Sequence, residues 1–153
     1  MYIYLGTPYT DPSPYQMKLR YEAARALCAD IAQSKVPVYS PIVHWHNVAE
    51  FYNRRSFGCW RPNQDNLHMP VDVDFWWKQN EPFLKKCHEA WFVKLEGYER
   101  SKGIQREIEY CHLKHIPVLT FEIPELYVYL SSYRPTPRAG EVRVPDSGGG
   151  AGK

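Results

Sequence analysis

Apolar residues along this chain form two kinds of pattern, short continuous runs and longer segments with helical spacing. Continuous apolar runs bounded by turn residues are typical of strands that are buried on both faces of a parallel sheet. They predict four strands, at residues 2–6, 36–40, 90–95 and 116–121.

The segments between these runs repeat apolar residues every three or four positions, which predicts amphipathic helices. The first has the clearest start, with Ser13 as N-cap, Pro14 at the first helical position and Gln16 closing a capping box. It extends to about residue 34, and its expected buried stripe is Leu19, Ala23, Ala26, Leu27 and Ile31. Further helices are expected at residues 43–53, 74–88, 101–115 and 124–133. In the third of these five helices, Pro82 is expected either to introduce a kink or to begin a new first turn near Asn80.

Two segments lack either pattern. Residues 54–71 are polar and rich in turn residues, so we predict a long insertion loop of a kind that is usually functional or mobile. Residues 134–153 have the composition of a flexible tail. The tail ends in GGGAGK, but it lacks the preceding strand and following helix of a phosphate-binding loop. The sequence therefore predicts one domain, residues 1–133, followed by a tail.

Strands that alternate with helices at this spacing indicate right-handed crossovers and a parallel sheet covered by helices on both faces. The predicted fold is a single-domain, three-layer α/β fold of the Rossmann or flavodoxin type, with a mainly parallel sheet of four to five strands. Ligands of such sheets bind beyond the carboxyl ends of the strands. The candidate site segments are therefore residues 6–11, 40–46 and 96–107.

Composition narrows the class of function. The net charge of +2 is too small to indicate nucleic-acid or membrane binding. We find no signal-peptide pattern and no run long enough to span a membrane, so we expect a cytoplasmic protein. The four cysteines lack CxxC spacing, which favours free thiols. The 12 Tyr, 5 Trp and 6 Phe either pack the core or line a pocket for a planar ligand.

The helix predicted at residues 101–115 carries a carboxylate on its buried face. That face is marked by Ile104, Ile108 and Cys111. Glu107 lies along it, whereas Glu109 is about 200° away and faces solvent. A buried carboxylate is costly unless it is paired or functional. Glu107 is therefore either a site residue or the partner of a cation such as Lys102 or Arg106.

The turn before this helix is suited to an anion. Ser101 can cap the helix, whose free N–H groups and dipole favour a group such as phosphate. Gly97 and Gly103 would permit close backbone approach. Capping alone also accounts for Ser101.

Two motifs occur in order on the predicted elements. Tyr4-Leu-Gly-Thr-Pro-Tyr9 spans the end of the first strand, and Ser101-x-Gly103-x-x-x-Glu107 follows the third. Together with the segment that begins Cys87-His88-Glu89, they resemble the nucleoside 2-deoxyribosyltransferase superfamily, which includes 2'-deoxynucleoside 5'-phosphate N-hydrolases. The resemblance is greatest to its compact bacterial and phage members. It covers roughly residues 2–121 and leaves out the insertion and the tail.

The resemblance implies roles for these residues. Glu107 would attack the anomeric carbon and form a glycosyl–enzyme ester, which water or a second base then resolves. Tyr4 would orient that carboxylate, although a core tyrosine is an equally good interpretation. Ser101 and Gly103 would hold a 5'-phosphate. Gly6 and Thr7 would belong to the loop that approaches the sugar or phosphate, and Pro8 and Tyr9, which follow them, are further substrate-binding candidates.

One position departs from the superfamily's pattern. Where the superfamily usually has an aspartate before the third strand, alignment on Cys87 places Asn80, with Glu81 next to it. An asparagine cannot act as a general acid. Three alternatives stay open: Glu81 or Asp74 takes this role, the proton comes from elsewhere, or the activity is altered.

His44 and His46 follow the second strand. Two histidines alone do not make a metal site, so we predict no metal. The resemblance places this segment in the base pocket, where a histidine would donate a hydrogen bond and Trp45 or Tyr9 would stack. Trp76 and Trp77, with Asp72 and Asp74, are either a lid or a subunit contact.

The favoured hypothesis is an enzyme that cleaves the N-glycosidic bond of a nucleoside or its 5'-monophosphate, by hydrolysis or transfer. It needs no cofactor, and the resemblance implies a homo-oligomer. The alternatives are NAD glycohydrolase activity and a catalytically silent nucleotide-binding module.

Overall fold

The computed structural model describes residues 2–53 and 72–133; the predicted insertion loop and tail lie outside the described residues. In the described part, four strands alternate with five α-helices, and a 3₁₀ turn that the sequence did not predict, Tyr98–Arg100, precedes the fourth helix. The elements are β1 (Ile3–Gly6), α1 (Pro14–Gln33), β2 (Val38–Tyr39), α2 (Pro41–Asn53), α3 (Val73–Leu84), β3 (Glu89–Val93), α4 (Lys102–Leu113), β4 (Val118–Phe121) and α5 (Ile123–Ser132).

The four strands form one sheet in the order β2-β1-β3-β4, and every pair is parallel. This confirms the predicted α/β fold of the Rossmann or flavodoxin type. The chain leaves β1 to one side for β2 and returns to the other side for β3, so the strand order reverses between β1 and β3. Ligands of open parallel sheets bind at such a reversal, outside the carboxyl ends of the strands.

Alternate residues of the two central strands supply two separate cores, one on each face of the sheet. On one face the strand residues pack against α1 and α5; this core includes Ile3, Leu5, Trp91, Val93, Leu27, Ile31, Leu126 and Leu130. On the other face they pack against α3 and α4; this core consists of Tyr4, Leu84, Ala90, Phe92, Ile104 and Cys111. Helices therefore cover both faces, which confirms the three layers.

The first helix is rotated relative to the predicted stripe. Leu19 is 45% exposed, and the buried residues of α1 are Arg20, Tyr21, Ala24, Leu27 and Ile31. Ser13 caps the helix as predicted, by accepting a 3.4 Å hydrogen bond from the Gln16 backbone. The Gln16 side chain does not close a capping box, because its amide donates to Glu96 at 3.0 Å. The buried side of α1 therefore includes the charged Arg20 in place of the predicted Leu19.

Several boundaries also differ. The strand β2 has two residues, and α2 begins at Pro41. Asp72 caps α3, and the helix continues through Pro82 to Leu84, so the alternative of a new first turn near Asn80 was wrong. A proline two residues from the end of a helix removes one backbone hydrogen bond and leaves little helix to disrupt.

No α-helix of the described ranges is long and apolar enough to cross a membrane. Cys28, Cys87 and Cys111 are free thiols, as expected, and Cys59 lies outside the described residues.

Candidate active site

The buried face of α4 brings a carboxylate against the central strand. Glu107 is 8% exposed, and its Oε1 accepts a 2.6 Å hydrogen bond from the hydroxyl of Tyr4, which is fully buried in β1. Helical spacing from Ile104 to Cys111 places Glu107 on this face, as the sequence predicts. Glu109 is exposed.

Burial governs the electrostatics of this pair. It raises the pKa of Glu107 from 4.5 to about 7, and the hydrogen bond from Tyr4 offsets only part of that rise. The pKa of Tyr4 is also raised, first by burial and then by the charge of Glu107. Among the residues that the structure describes, no cation pairs with Glu107, and Arg106 instead pairs with Asp74. The cation-pair interpretation of Glu107 therefore finds no support in this part of the chain.

Gly6 ends β1 directly beside the carboxylate. A Cβ at this position would lie 2.4 Å from the Phe92 ring and 3.1 Å from Glu107 Oε2. Contacts under 3.0 Å do not occur for real Cβ atoms, so only glycine fits without rearrangement. Gly6 thus leaves Oε2 at the carboxyl end of β1, while Oε1 is held by Tyr4.

The loop after Gly6 is buried at first. Thr7 and Pro8 are buried, and the Thr7 hydroxyl has no hydrogen-bond partner among the described residues. A buried hydroxyl without a partner is costly in a folded protein, so it calls for an explanation. A ligand hydroxyl or phosphate oxygen would supply the missing partner.

The two histidines of α2 point in different directions. The Tyr9 hydroxyl and His46 Nδ1 are 2.7 Å apart, and the His46 ring stacks on Tyr21 with centroids 3.8 Å apart. His44 instead contacts Tyr39 and Trp45. The described residues include no group of three or more metal-ligating side chains, and two histidines two positions apart on a helix diverge.

Asn80, the position of the expected aspartate, is buried in α3. Its Oδ1 accepts a 3.0 Å hydrogen bond from Trp45 Nε1. The neighbouring Glu81 accepts from Tyr110 at 2.7 Å, and Asp74 is exposed and pairs with Arg106. Both carboxylates considered as replacements are therefore engaged by residues of α4.

An aromatic cluster, formed by Tyr39, His44, Trp45 and Phe83, contacts Asn80 through Trp45 and the Tyr4 ring through Tyr39. Tyr39 lies 5.8 Å from the Tyr4 ring and stacks on Phe83 at 4.2 Å. Burial raises the pKa of Tyr39 to about 12, with a smaller contribution from Glu107. The sequence analysis did not single out Tyr39 or Phe83, whose aromatic character alone does not distinguish a site residue from a core residue.

Trp76 and Trp77 pack within the chain. Trp76 lies 5.8 Å from Trp45 of α2, and Trp77 lies 5.1 Å from Tyr110 of α4 and under the Arg106 guanidinium. The two tryptophans thus join α3 to its two neighbouring helices.

The turn before α4 has the expected cap. Ser101 Oγ accepts from the Ile104 backbone at 3.3 Å. Gly97 has a φ of 91° and is in contact with Arg20, whereas a Cβ at Gly103 would meet no atom closer than 3.9 Å. The expected close approach holds for Gly97, and nothing in the described structure requires glycine at Gly103.

Arg20 is the residue of this edge that sequence reasoning missed. It is 4% exposed, and its guanidinium bonds to the loops that follow β1 and β3. An arginine next to a predicted apolar stripe is usually solvated, so the sequence carried no signal for it.

Comparison with known proteins places the chain in a family. A family model, the domain of unknown function DUF1937, matches residues 1–123. The chain belongs to the DUF1937 family. No curated protein matches it. Among solved structures, a 2-deoxyribosyltransferase from the psychrotolerant bacterium Bacillus psychrosaccharolyticus is similar at 18% identity and a TM-score of 0.45, over 80% of this chain and 72% of that one. The description of the DUF1937 family assigns no activity, so the chemistry of this site is argued from its geometry.

Proposed function

We propose that this protein cleaves the N-glycosidic bond of a nucleoside, deoxynucleoside or corresponding 5'-monophosphate through a covalent intermediate on Glu107. The observation that carries this proposal is the buried carboxylate held by Tyr4 at the strand-order reversal, with its second oxygen at the end of β1. The resemblance of the two sequence motifs to the nucleoside 2-deoxyribosyltransferase superfamily supports the same reaction class.

The proposed reaction has two displacements. Glu107 Oε2 attacks the anomeric carbon, the C–N bond breaks, and its electron pair leaves with the base. The departing base takes up a proton. The ester is then attacked by water, which loses a proton and gives the free sugar, or by a second base, which loses its N–H proton and gives transfer. Either attack breaks the ester bond and returns the carboxylate. A carboxylate nucleophile suits a transition state with oxocarbenium character.

Tyr4 has a positioning role in this scheme. Its hydroxyl holds Oε1 at 2.6 Å, so the carboxylate cannot rotate freely and Oε2 keeps one direction. The hydrogen bond also stabilises the ionised carboxylate, which is the nucleophilic form.

The proposed substrate contacts surround this pair. Thr7, whose buried hydroxyl has no described partner, would bind a sugar or phosphate oxygen. Ser101 lies at the N-terminus of α4, where free N–H groups and the helix dipole favour a 5'-phosphate. The aromatic cluster beside Asn80 offers flat faces for a base; its members are Tyr39, His44, Trp45 and Phe83.

The test is release of free base from a panel of nucleosides, deoxynucleosides and their 5'-monophosphates, followed by chromatography with and without an acceptor base. Glu107→Gln keeps the shape of the side chain and removes the nucleophile, so it should abolish release. Glu109→Gln is the matched control, because Glu109 lies on the exposed side of the same helix. Release that survives in Glu107→Gln, or no release from any panel member, would count against the proposal.

A second candidate substrate is favoured by one observation. Asn80 Oδ1 is engaged by Trp45, and the nearby carboxylates Glu81 and Asp74 are engaged by Tyr110 and Arg106. A neutral base usually needs a proton as it leaves. A pyridinium base, such as that of NAD, already carries a positive charge. It therefore leaves as a neutral molecule and needs no proton. Release of nicotinamide from NAD, lost in Glu107→Gln, would favour this substrate over the panel.

We also propose a homo-oligomer that needs no cofactor, as the superfamily resemblance implies, and a cytoplasmic location. Light scattering on the purified protein would give the oligomeric state.

Nucleotide binding without base release, unchanged by Glu107→Ala, would indicate a silent binding module in place of an enzyme.

A further inference from the structure

One arginine connects the two loops that flank the proposed nucleophile. Arg20 Nη1 donates to the carbonyls of Tyr9 at 3.2 Å and Thr10 at 2.8 Å, and Nη2 donates to Asp11 Oδ2 at 3.0 Å. The same Nη2 donates to Glu96 Oε2 at 2.6 Å. The first three acceptors belong to the loop after β1, and the fourth belongs to the loop after β3.

Glu96 and Gly97 of the second loop pack directly against the Arg20 guanidinium. A Cβ at Gly97 would lie 2.4 Å from Arg20 Nη2 and 3.0 Å from Cζ, and the φ of Gly97 is 91°. Both the space and the backbone conformation therefore require glycine at this position. Glu96 also accepts hydrogen bonds from Gln16 and Arg100, so several donors hold it in place.

These loops lead directly to the site. The first begins at Thr7, one residue after the Gly6 that borders Glu107 Oε2. The second leads through Ser101 into α4, which carries Glu107. Because β1 and β3 are neighbours in the sheet, the two loops are adjacent at the same edge.

We propose that Arg20 is a positioning residue that fixes the separation of these two loops and thereby the contacts that hold the substrate beside Glu107. It acts through its bonds to the two loops and does not touch the substrate. A planar guanidinium with several donors suits this task, because one rigid group can serve acceptors in different directions. The kinetic part of this inference rests on the proposed function.

Kinetics would separate positioning from simple stability. Arg20→Met should raise KM about tenfold or more with a smaller change in kcat, because loops at the wrong separation lose contacts that the substrate makes in the ground state and the transition state alike. Arg20→Lys should recover part of the loss, since it keeps the charge but not the fork. Arg25→Met is the matched control, because Arg25 is exposed on the same helix and its described contacts are local, an ion pair with Glu22 and a cation–π contact with the Tyr21 ring. A purely structural role would reduce the amount of active enzyme and leave KM unchanged, and that result would overturn the proposal.

Hydrogen–deuterium exchange tests the coupling itself without any substrate. In Arg20→Met, the backbone amide of Ser13, which donates to Asp11 in the first loop, and those of Tyr98 and Arg100 in the second should lose protection together, and Arg25→Met should change neither loop. Loss in one loop alone, or in neither, would overturn the inference. If wild-type protein releases no base, the proposed function fails, and exchange alone decides whether Arg20 couples the loops.

A second variant covers the case in which Arg20→Met does not fold. Glu96 is 58% exposed, so Glu96→Gln should leave the fold intact while it weakens the link to Arg20. It should raise KM in the same direction by a smaller factor and deprotect both loops. An unchanged KM together with unchanged exchange in Glu96→Gln would overturn the proposal.

Discussion

The Tyr4 hydroxyl and the Glu107 carboxylate, 103 residues apart in the chain, meet in a 2.6 Å hydrogen bond on the α4 side of the sheet. Tyr4 is neutral, so its bond stabilises the ionised carboxylate without supplying a countercharge. Burial therefore outweighs the hydrogen bond, and the pKa of Glu107 is raised to about 7. The proposed nucleophile changes its charge close to neutral pH.

The activity of the protein should accordingly depend on pH. We expect kcat/KM to rise with pH through about 7, because the nucleophile must be ionised. Tyr4→Phe removes the bond that lowers this pKa, so the rising limb should move to higher pH. The check is a pH–rate profile of base release for both proteins. A limb that stays in place, or moves to lower pH, would contradict this account of the pair.

The same carboxylate should make stability depend on pH. The folded pKa of about 7 exceeds the ordinary 4.5, so the folded state binds more protons between these values. Stability from this group is full below about pH 4.5 and is lost as pH rises through 7, by an amount on the order of 3 kcal/mol. Glu107→Gln should therefore be more stable than wild type at pH 8. Urea unfolding at several pH values measures this, and equal stability at pH 8 would argue against a buried, unpaired charge.

Gly6 should not tolerate a methyl group. Gly6→Ala places a Cβ 2.4 Å from the Phe92 ring, and overpacking of this kind costs about 1–3 kcal/mol. Displacement of Glu107 Oε2 should also reduce base release. Gly103→Ala is the control for stability, because a Cβ there would lie within a helix with no atom closer than Ser101 Oγ at 3.9 Å, and it should be neutral or stabilising. Thermal unfolding of both variants, and base release from a nucleoside without a phosphate, give the comparison, and equal behaviour would refute the steric account of Gly6.

Ser101 has a structural role and a proposed binding role that one variant can separate. Ser101→Ala removes the N-cap of α4, at a cost of about 0.5–2 kcal/mol. If the same turn holds a 5'-phosphate, KM should rise for the 5'-monophosphate and stay unchanged for the nucleoside. Steady-state kinetics on the matched pair of substrates measures this difference. An equal effect on both substrates would leave Ser101 as a cap only.

The sequence predicted the elements of this fold well because its apolar runs and helical stripes are distinct. It placed Glu107 inward and Glu109 outward, since both follow from helical geometry on either side of Ile108. The division of the β1 and β3 side chains between two cores likewise follows from the period of a strand.

The rotation of α1 could not be predicted from its apolar residues. Leu19 is exposed and Arg20 is buried because the arginine's acceptors are backbone carbonyls and carboxylates of two loops outside the helix, one of them 76 residues away. Helical periodicity records which residues are apolar, and it does not record where distant acceptors will lie. The hydrogen bond by which Trp45 orients Asn80 could not be predicted for the same reason, because this bond joins two helices through side chains alone.

The placement of Tyr4 and Glu107 within the sheet core also bears on how this protein can change. The Tyr4–Glu107 pair is secured by β1, β3 and α4, whereas Tyr9, His44 and Ser101 lie in or beside the segments that follow the strands. Such segments accept substitution more readily than a packed core. Under the proposed function, substrate preference can therefore drift, or be redirected by a mutant library confined to these segments, while the proposed nucleophile keeps its geometry.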